Sequence, residues 1–363
     1  MRKLLISGIA PGPGGVGEFM TQIVSIANTD TWDIKFPKQF KGRDNIFIKI
    51  INEFFLKKIF SISKNKIKLY DEITIISFAH LNLRLLNRIK SLAKKVVVYH
   101  IDNSFFCVKA YNHLKGSSKP CLKCFESLNF SKLNSCTSRP ISLFKNQPIS
   151  KINIIKLMPK VSFLALSEGH KRLIKNFYGN SAEVSVLSHY TNEFNDLKVT
   201  QKNRGIYDLV FHGPDIEEKG SHYIIKLFSE LSEYKCLVPF KRKLITENIS
   251  AINMNWSSGL GKAVSNARVV FCPSVWTATP ETSILKSLLN PGLVATFDFE
   301  NSFPNELPGN TLIKLTGNII SDAQKIRNIL SNPKEQENRI QESRFFVKEH
   351  LEKSNFRLIN YFE

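Results

Sequence analysis

"FCPSVWTATPETSILKSLLNPGLVAT", residues 271–296, joins an apolar run to a Thr-rich loop, a helical pattern and a second apolar run. The helical pattern begins at Pro280–Glu281 and ends at Pro291–Gly292, the residue types expected at these two helix ends. Strand, helix and strand in this order predict one parallel βαβ unit. In sheets built from such units, the loop after the strand is where ligands bind.

The same unit recurs along the chain and predicts a doubly wound parallel sheet. Most of the expected strands are unbroken apolar runs, which is typical of strands buried on both faces. The predicted strands are 4–8, 73–78, 96–100, 163–167, 183–187, 208–213, 235–240, 269–273 and 293–297. The predicted helices are 17–27, 45–60, 81–92, 169–177, 222–231 and 281–289.

A length of 363 residues predicts two domains, each with its own core. The pattern breaks at a polar stretch near residue 190, so we expect two Rossmann-like αβα domains that face each other across a cleft. The predicted parts are an N-terminal domain at 1–190 with a Cys-rich insertion at 104–140, a linker at 191–206, a C-terminal domain at 207–340 and a helix at 341–363. This last helix is a candidate for packing back on the N-terminal domain.

Composition indicates a globular protein with an anionic partner. Hydrophobic residues make up 42% of the chain and the net charge is +20, which excludes a disordered chain and suits phosphates or an acidic membrane surface. The excess of positive charge comes mostly from Lys, and Asn and Ile are also frequent, a composition that an AT-rich genome would partly produce by itself. The charge is therefore weak evidence for nucleic-acid binding. We expect a cytoplasmic protein, since no signal peptide or run of about 20 apolar residues is present.

Two loops have the composition of phosphate-binding turns. Gly14, Gly15 and Gly17 lie between the first strand and a helix, where backbone N–H groups could approach an anion. Lys219 precedes Gly220 at the start of another helix, where its ammonium could reach a phosphate. The alternatives are a glycine-rich turn without a ligand and a solvated lysine.

Taken in order, three stretches resemble the GT-B glycosyltransferases, and most closely the retaining enzymes of glycosyltransferase family 4. They are "GGVGEF" (14–19), "FHGPDIEEKG" (211–220) and "CPSVWTATPETSILKSLLNPGLVAT" (272–296). The resemblance implies a nucleotide-sugar donor bound mainly by the C-terminal domain, and a lipid-linked or saccharide acceptor at the N-terminal domain. It further implies sugar transfer with retention in cell-surface polysaccharide synthesis, without a catalytic metal.

The resemblance also implies roles for individual residues. His100, Lys219 and Glu281 are the candidate catalytic residues. The candidate substrate-binding residues are Gly14, Gly15, Gly17, Asp102, Gly213, Lys219, Ser274, Thr279, Glu281, Thr282 and Lys286. His100 ends a predicted buried strand, where a structural role is the alternative, and Asp102 could orient it or bind the acceptor.

This chain departs from the family pattern at three positions. Pro214 stands where the family has an arginine, and Ala278 and Lys286 align with its two glutamates. A lysine cannot accept the ribose hydrogen bonds of the second glutamate, so Lys286 could bind phosphate instead, and Glu281 could replace the first glutamate. The alternatives are that Glu281 only caps the helix, that Lys286 is exposed, and that the chain is a catalytically inactive GT-B scaffold or nucleotide-binding protein.

Four cysteines are clustered with the spacing C-x13-C-x2-C-x11-C: Cys107, Cys121, Cys124 and Cys136. Four thiolates complete a tetrahedral zinc site, and such a metal would stabilise a polar insertion. An iron–sulfur cluster would use the same ligands, and unligated thiols or disulfides are further alternatives.

Residues 35–68 contain ten basic side chains against two acidic ones. Together with Arg84, Arg88, Lys90, Lys94 and Lys95, they predict peripheral contact with the anionic inner face of the cell membrane. An ordinary amphipathic helix with solvated lysines is the alternative. A nucleic-acid-binding protein would have the same charge, but the chain lacks zinc-finger spacing and an aromatic-and-basic RNA signature, so we expect no nucleic-acid partner.

Overall fold

The computed structural model describes two compact units. The described residues are 1–12, 15–36, 62–78, 81–134, 136, 147–190, 194, 206–242, 246–290 and 292–363. The first unit comprises Met1–Ala110, Leu122–Thr191 and Ser354–Glu363, and the second comprises Tyr111–Cys121 and Asn192–Lys353. The predicted helix 45–60 and most of the predicted linker 191–206 lie outside the described residues.

The first unit contains one parallel sheet of six described strands in the order β2-β1-β3-β4-β5-β6. The strands are β1 (Lys3–Ser7), β2 (Trp32–Lys35), β3 (Glu72–Ile76), β4 (Val96–Tyr99), β5 (Val161–Ala165) and β6 (Val184–Val186). The described α-helices of this unit are Gly15–Ile26, Lys64–Lys68, Leu83–Leu92, Phe130–Leu133, Gln147–Lys156 and Glu168–Tyr178. The central strands β1, β3 and β4 are almost wholly buried, as their largely apolar sequences predict.

Polar residues fix several helix ends in the first unit. The helix Leu83–Leu92 begins after Asn82, whose side chain accepts a hydrogen bond from the Leu85 amide at 2.7 Å. The helix Glu168–Tyr178 begins after Ser167, whose hydroxyl caps the His170 amide, and ends at Gly179 with a positive φ of 105°. Such caps satisfy terminal N–H groups that have no partner within the helix.

The second unit repeats this architecture with the strand order β12-β11-β10-β7-β8-β9, again parallel throughout. The strands are β7 (Leu209–Phe211), β8 (Cys236–Val238), β9 (Ile249–Ala251), β10 (Val269–Phe271), β11 (Leu293–Phe297) and β12 (Ile313–Leu315). The described α-helices are Ser221–Glu230, Gly261–Asn266, Thr282–Leu288, Phe303–Glu306, Ile319–Leu330 and Pro333–Phe362. The opening stretch of the sequence therefore forms the expected β10–helix–β11 unit.

Each unit has its own hydrophobic core. Val98 and Phe163 belong to the core of the first unit, whereas Phe211 and Phe271 belong to that of the second. The predicted α/β fold with two parallel sheets is thus confirmed. The long C-terminal helix begins at Pro333, and its last residues pack in the first unit, where the Phe362 ring lies 5.2 Å from that of Trp32.

One segment of the predicted insertion groups with the second unit. Tyr111–Cys121 clusters there, although the preceding Ala110 and the following Leu122 belong to the first unit. Its buried Asn112 accepts hydrogen bonds from the amide and the hydroxyl of Thr277, both at 3.0 Å. Contacts between residues 165 positions apart therefore draw this segment into the second unit.

Candidate functional site

The carboxyl edge of the second sheet holds the candidate site. Chain order reverses between the neighbouring strands β10 and β7, and ligands of open parallel sheets bind at such a switch point. His212 and Gly213 follow β7, and Cys272 and Ser274 follow β10. The topology thus brings together the stretches 211–220 and 272–296, two of the three on which the resemblance to the GT-B glycosyltransferases depends.

A cavity of about 560 Å³ opens at this edge. Its lining consists of His212, Gly213, Pro214, Asp215, Ile216, Lys219, Pro239, Lys241, Asn253, Met254, Leu260, Cys272, Ser274, Glu281 and Ser283. A volume of this size is in the range of pockets for small ligands, and the mixture of apolar and charged groups is typical of them. Four predicted site residues line it: Gly213, Lys219, Ser274 and Glu281.

Lys219 and Glu281 form an ion pair in the wall of the cavity. The Lys219 ammonium lies 2.5 Å from Glu281 Oε2, and their side chains are only 14% and 7% exposed. The second carboxylate oxygen, Oε1, is buried and has no hydrogen-bond partner among the described residues. Because a buried carboxylate oxygen without a donor is costly, this atom is a candidate hydrogen-bond acceptor.

Gly220 is required where Lys219 joins the next helix. It adopts a left-handed φ of 79°, and a Cβ atom there would lie 2.1 Å from the carbonyl oxygen of Pro273. Only glycine allows the chain after β7 to approach the chain after β10 this closely. The Lys–Gly pair of the sequence motif therefore has a local structural cause.

Two aromatic rings contact the Lys219 ammonium. Its Nζ lies 5.3 Å from the ring centroid of Tyr111 and 5.1 Å from that of Trp276. The two rings meet edge to face, with centroids 5.0 Å apart. Both distances to the ammonium are within the range of cation–π interactions, so the lysine is held by an anion and two aromatic faces together.

His212, Trp256 and Lys286 form a second group beside the cavity. The His212 ring stacks on Trp256 at 5.1 Å, and its Nδ1 lies 2.9 Å from Ser287 Oγ. Lys286 is 5% exposed. Its Nζ lies 4.7 Å from the centroid of the same Trp256 ring. Burial, followed by the charge of Lys286, lowers the pKa of His212 to about 3, so its imidazole is neutral at pH 7.

The remaining predicted residues of this motif lie around the cavity without lining it. Thr279 is buried, and Thr282 is partly buried at the first position of its helix. Lys286 is likewise not part of the described lining, and its Nζ lies over the Trp256 ring. Its role as a phosphate ligand stays a prediction.

The glycine-rich loop belongs to the first unit. Gly14 lies outside the described residues, and Gly15 is the first residue of its helix. Gly17 is buried, and a Cβ atom there would lie 2.4 Å from the Gly12 carbonyl oxygen. The structure therefore gives Gly17 a packing function, while anion binding at this loop stays a prediction.

His100 and Asp102 follow β4 in the first unit. The His100 ring is 1% exposed and stacks on Phe163 at 5.6 Å and Tyr178 at 5.9 Å. Burial, followed by the nearby His170, lowers the pKa of His100 well below its usual value. The Asp102 carboxylate accepts a hydrogen bond from the Ser104 amide at 2.9 Å, while burial raises its pKa. His100 is thus a neutral side chain in an aromatic core, and sugar contact by it stays a prediction.

The four clustered cysteines are divided between the units. Cys107, Cys124 and Cys136 belong to the first unit and Cys121 to the second. Cys107 and Cys124 pack in the hydrophobic core of the first unit. No group of three or more His, Cys, Asp or Glu side chains suited to a metal ion occurs among the described residues. The zinc or iron–sulfur site remains a prediction that metal analysis can test.

Most of the basic segment 35–68 lies outside the described residues. In the later basic stretch, Lys94 pairs with Asp71 and Lys95 with Glu72, each at 2.9 Å. Part of the predicted membrane-facing charge is therefore neutralised within the unit. No helix in the described part of the chain is long and apolar enough to span a bilayer.

Sequence reasoning missed several residues that line or adjoin the cavity. Of these residues, His212 was the one that the sequence could most easily have indicated. A polar residue between a buried strand and a glycine marks the carboxyl end of that strand. Trp256 and Asn253 come from a loop without a recognisable motif, which contains an irregular turn at Trp256–Leu260. Tyr111 comes from a distant part of the chain, so no local pattern could have indicated it.

No family model and no curated protein sequence matches this chain. Solved structures do match. The fold is similar to that of sucrose-phosphate synthase from Thermosynechococcus elongatus, with a TM-score of 0.61 and 10% identity over 96% of this chain and 94% of that chain.

Two further structures cover nearly the whole chain. HepE from Anabaena, in complex with UDP, has a TM-score of 0.60 and 10% identity over 99% of both chains. An alpha-glucosyltransferase, in complex with UDP-glucose and DNA containing an abasic site, has a TM-score of 0.54 and 13% identity over 99% of both. At such low identity these likenesses concern the fold, and the expected two-domain α/β fold of the GT-B glycosyltransferases is confirmed.

Proposed function

We propose that this protein is a glycosyltransferase that binds a nucleotide-sugar donor in the cavity of its second unit. The observation that carries the proposal is the Lys219–Glu281 pair in the wall of a cavity at the topological switch point of the sheet. The likeness of the fold to proteins solved with UDP or UDP-glucose supports the same ligand class.

The chemistry of the pair suits a donor diphosphate. An ammonium has three donor protons, so Lys219 can retain Glu281 and still donate to a phosphate oxygen. As the sugar leaves, negative charge develops on the diphosphate, and a positioned cation stabilises that charge. The unpartnered Oε1 of Glu281 is a suitable acceptor for a sugar hydroxyl.

We further propose transfer with retention to a lipid-linked or saccharide acceptor, as the resemblance to family 4 implies. In this proposal the protein acts in cell-surface polysaccharide synthesis and contacts the anionic inner leaflet through its basic segment. Comparison of the anomeric configuration in donor and product by NMR would test retention. Co-sedimentation with anionic vesicles at rising salt would test the membrane contact. If the protein does not bind these vesicles at low salt, the proposal of membrane contact is wrong.

Binding of free nucleotides is the primary test. Calorimetric titration with UDP, GDP, ADP and CMP should identify at least one ligand, and Lys219→Met should weaken its binding by about tenfold or more. Lys219→Met should change the affinity for the corresponding nucleoside little, because the nucleoside lacks the phosphates that Lys219 would bind. Lys226→Met, an exposed lysine on the adjoining helix, is the matched control.

Two results would contradict the proposal. The cavity assignment is wrong if none of the four nucleotides binds, or if Lys219→Met and Lys226→Met behave alike. A second candidate, a nucleotide-binding scaffold without activity, is favoured by Pro214 and Lys286, which replace family residues. It predicts nucleotide binding without release of sugar from any sugar donor of the nucleotide that binds.

A further inference from the structure

The Tyr111–Cys121 segment, defined by its grouping with the second unit, has a compact fold of its own. The amide of Cys121 donates to the carbonyl of Asn112 at 2.6 Å, which closes the segment into a loop. Inside it, His113 Nε2 lies 2.8 Å from the carbonyl oxygen of Ser117. These bonds give the segment a defined shape.

The segment is attached next to the Lys219–Glu281 pair. Asn112 and Thr277 are 0% and 3% exposed, and two hydrogen bonds join them. The Gly116 amide also donates to the carboxylate of Glu217, two residues before Lys219. Buried, paired polar groups of this kind fix the position of a loop, because losing either partner leaves the other unsatisfied.

The attachment places the Tyr111 ring at the ammonium of Lys219. A lysine side chain is a flexible four-carbon stem, and its ammonium is strongly hydrated when nothing holds it. Here Tyr111, Trp276 and Glu281 contact the ammonium from within the protein. The rings restrict the lysine without adding negative charge, whereas a second carboxylate would give the group around Lys219 a net negative charge that repels an anion.

We propose that Tyr111 and Trp276 are positioning residues that hold the Lys219 ammonium in place for a donor diphosphate. The inference rests on the proposed function for the identity of the ligand. It assigns a role to the Tyr111–Cys121 segment, which carries one half of the aromatic pair into the candidate site.

The first test uses the free protein. Ring currents of Tyr111 and Trp276 should shift the ε-methylene protons of Lys219 upfield in NMR spectra, and Lys219→Arg identifies the signal. Tyr111→Leu should move this signal toward the usual lysine position, whereas Tyr111→Phe should retain most of the shift. A Lys219 signal at the usual position in the wild type would overturn the inference without reference to any ligand.

The second test uses UDP and uridine as probes. Tyr111→Leu should weaken UDP binding by roughly tenfold and leave uridine binding unchanged, and Tyr111→Phe should restore UDP binding to within about twofold. Lys119→Met, at an exposed position of the same segment, is the control. An equal loss for UDP and uridine would indicate a merely structural role and overturn the inference.

A third variant covers the case in which Tyr111→Leu does not fold. Replacement of Tyr111 by 4-cyanophenylalanine keeps the aromatic ring in place, exchanges the hydroxyl for a nitrile and withdraws electron density from the face of the ring. We expect weaker UDP binding than with Tyr111→Phe, and equal binding would contradict the inference. If the wild type binds none of UDP, GDP, ADP and CMP while the Lys219 signal is shifted as expected, the proposed function fails and the positioning of Lys219 stands. If another of the four nucleotides binds instead of UDP, that nucleotide and its nucleoside replace UDP and uridine as the probes.

Discussion

At the scale of single residues, His212 links the stability of the second unit to pH. Its pKa is about 3 in the folded protein because it is buried beside Lys286, with Lys219 contributing less. In the unfolded chain the ordinary value is about 6.5. Between these values the unfolded state binds a proton that the folded state does not, so acid favours unfolding.

We therefore expect the second unit to lose stability as the pH falls from 7 to 5. The contribution of His212 to this loss is about 2 kcal/mol at pH 5. His212→Gln should reduce the dependence of the unfolding midpoint on pH, measured by thermal denaturation in matched buffers. His222→Gln, at an exposed histidine, should leave it unchanged, and parallel curves for wild type and His212→Gln would contradict the expectation.

Glu281 and Lys286 show what residue patterns can reveal about the site. The motif named Glu281 and Lys219 as separate candidates, and the structure pairs them because both follow neighbouring strands at one edge of a sheet. Glu281 is the extended N-cap residue of the Thr282–Leu288 helix, whereas Lys286 lies within that helix, more than one turn further on. Lys286 faces Trp256, a contact that depends on a loop whose path no motif indicates.

At the scale of elements, Asp322 joins a strand to two helices of the second unit. Its carboxylate is 0% exposed and accepts hydrogen bonds from Thr316, Gly317 and Tyr223. Burial and Asp322 together raise the pKa of Tyr223, so its hydroxyl stays a donor. The turn that follows β12 and the helices Ile319–Leu330 and Ser221–Glu230 therefore meet at one side chain.

Asp322→Ala should destabilise the second unit by about 3 kcal/mol, since several buried donors would lose a charged acceptor. Tyr223→Phe removes one donor and should cost about 1 kcal/mol. Asn318→Ala removes an exposed helix cap in the same region and should also cost about 1 kcal/mol. Denaturant unfolding of the three variants measures these differences, and an Asp322→Ala cost no greater than that of Asn318→Ala would refute this account.

Sequence patterns located the inner strands and missed three that lie at sheet edges. The missed strands are β2 (Trp32–Lys35), β9 (Ile249–Ala251) and β12 (Ile313–Leu315). An inner strand is covered by helices on both faces and reads as an unbroken apolar run. Each missed strand has at most two buried residues, because an edge strand is partly exposed and needs fewer apolar side chains.

At the scale of the whole molecule, the repeated strand–helix pattern was sufficient to predict two sheets. It was insufficient to assign Tyr111–Cys121 and Ser354–Glu363, which group away from their sequence neighbours. The first depends on the Asn112–Thr277 bonds and the second on ring contacts such as Trp32–Phe362. Such contacts join residues far apart in sequence, and a single sequence contains no periodic signal for them.

This grouping predicts which amides a nucleotide should protect from hydrogen exchange. A ligand present at about 100 times its Kd raises the free energy of opening by about 2.7 kcal/mol for any region whose opening releases the ligand. The amides of such a region should therefore exchange roughly 100-fold more slowly. Each unit has its own core, so protection by UDP should be concentrated in β7, β10 and the Thr282–Leu288 helix. Amides of the Tyr111–Cys121 segment that depend on its attachment to the second unit, such as Cys121, should be protected with them.

The informative comparison is between that segment and its sequence neighbours. Peptides covering β4 and the Phe130–Leu133 helix, which flank it in sequence, should show little change with UDP. Lys219→Met at the same UDP concentration provides the control, since it should lose the protection. If the Tyr111–Cys121 segment exchanges like its flanking peptides while β7 and β10 become protected, the segment is not coupled to ligand binding, and its place in the candidate site is refuted.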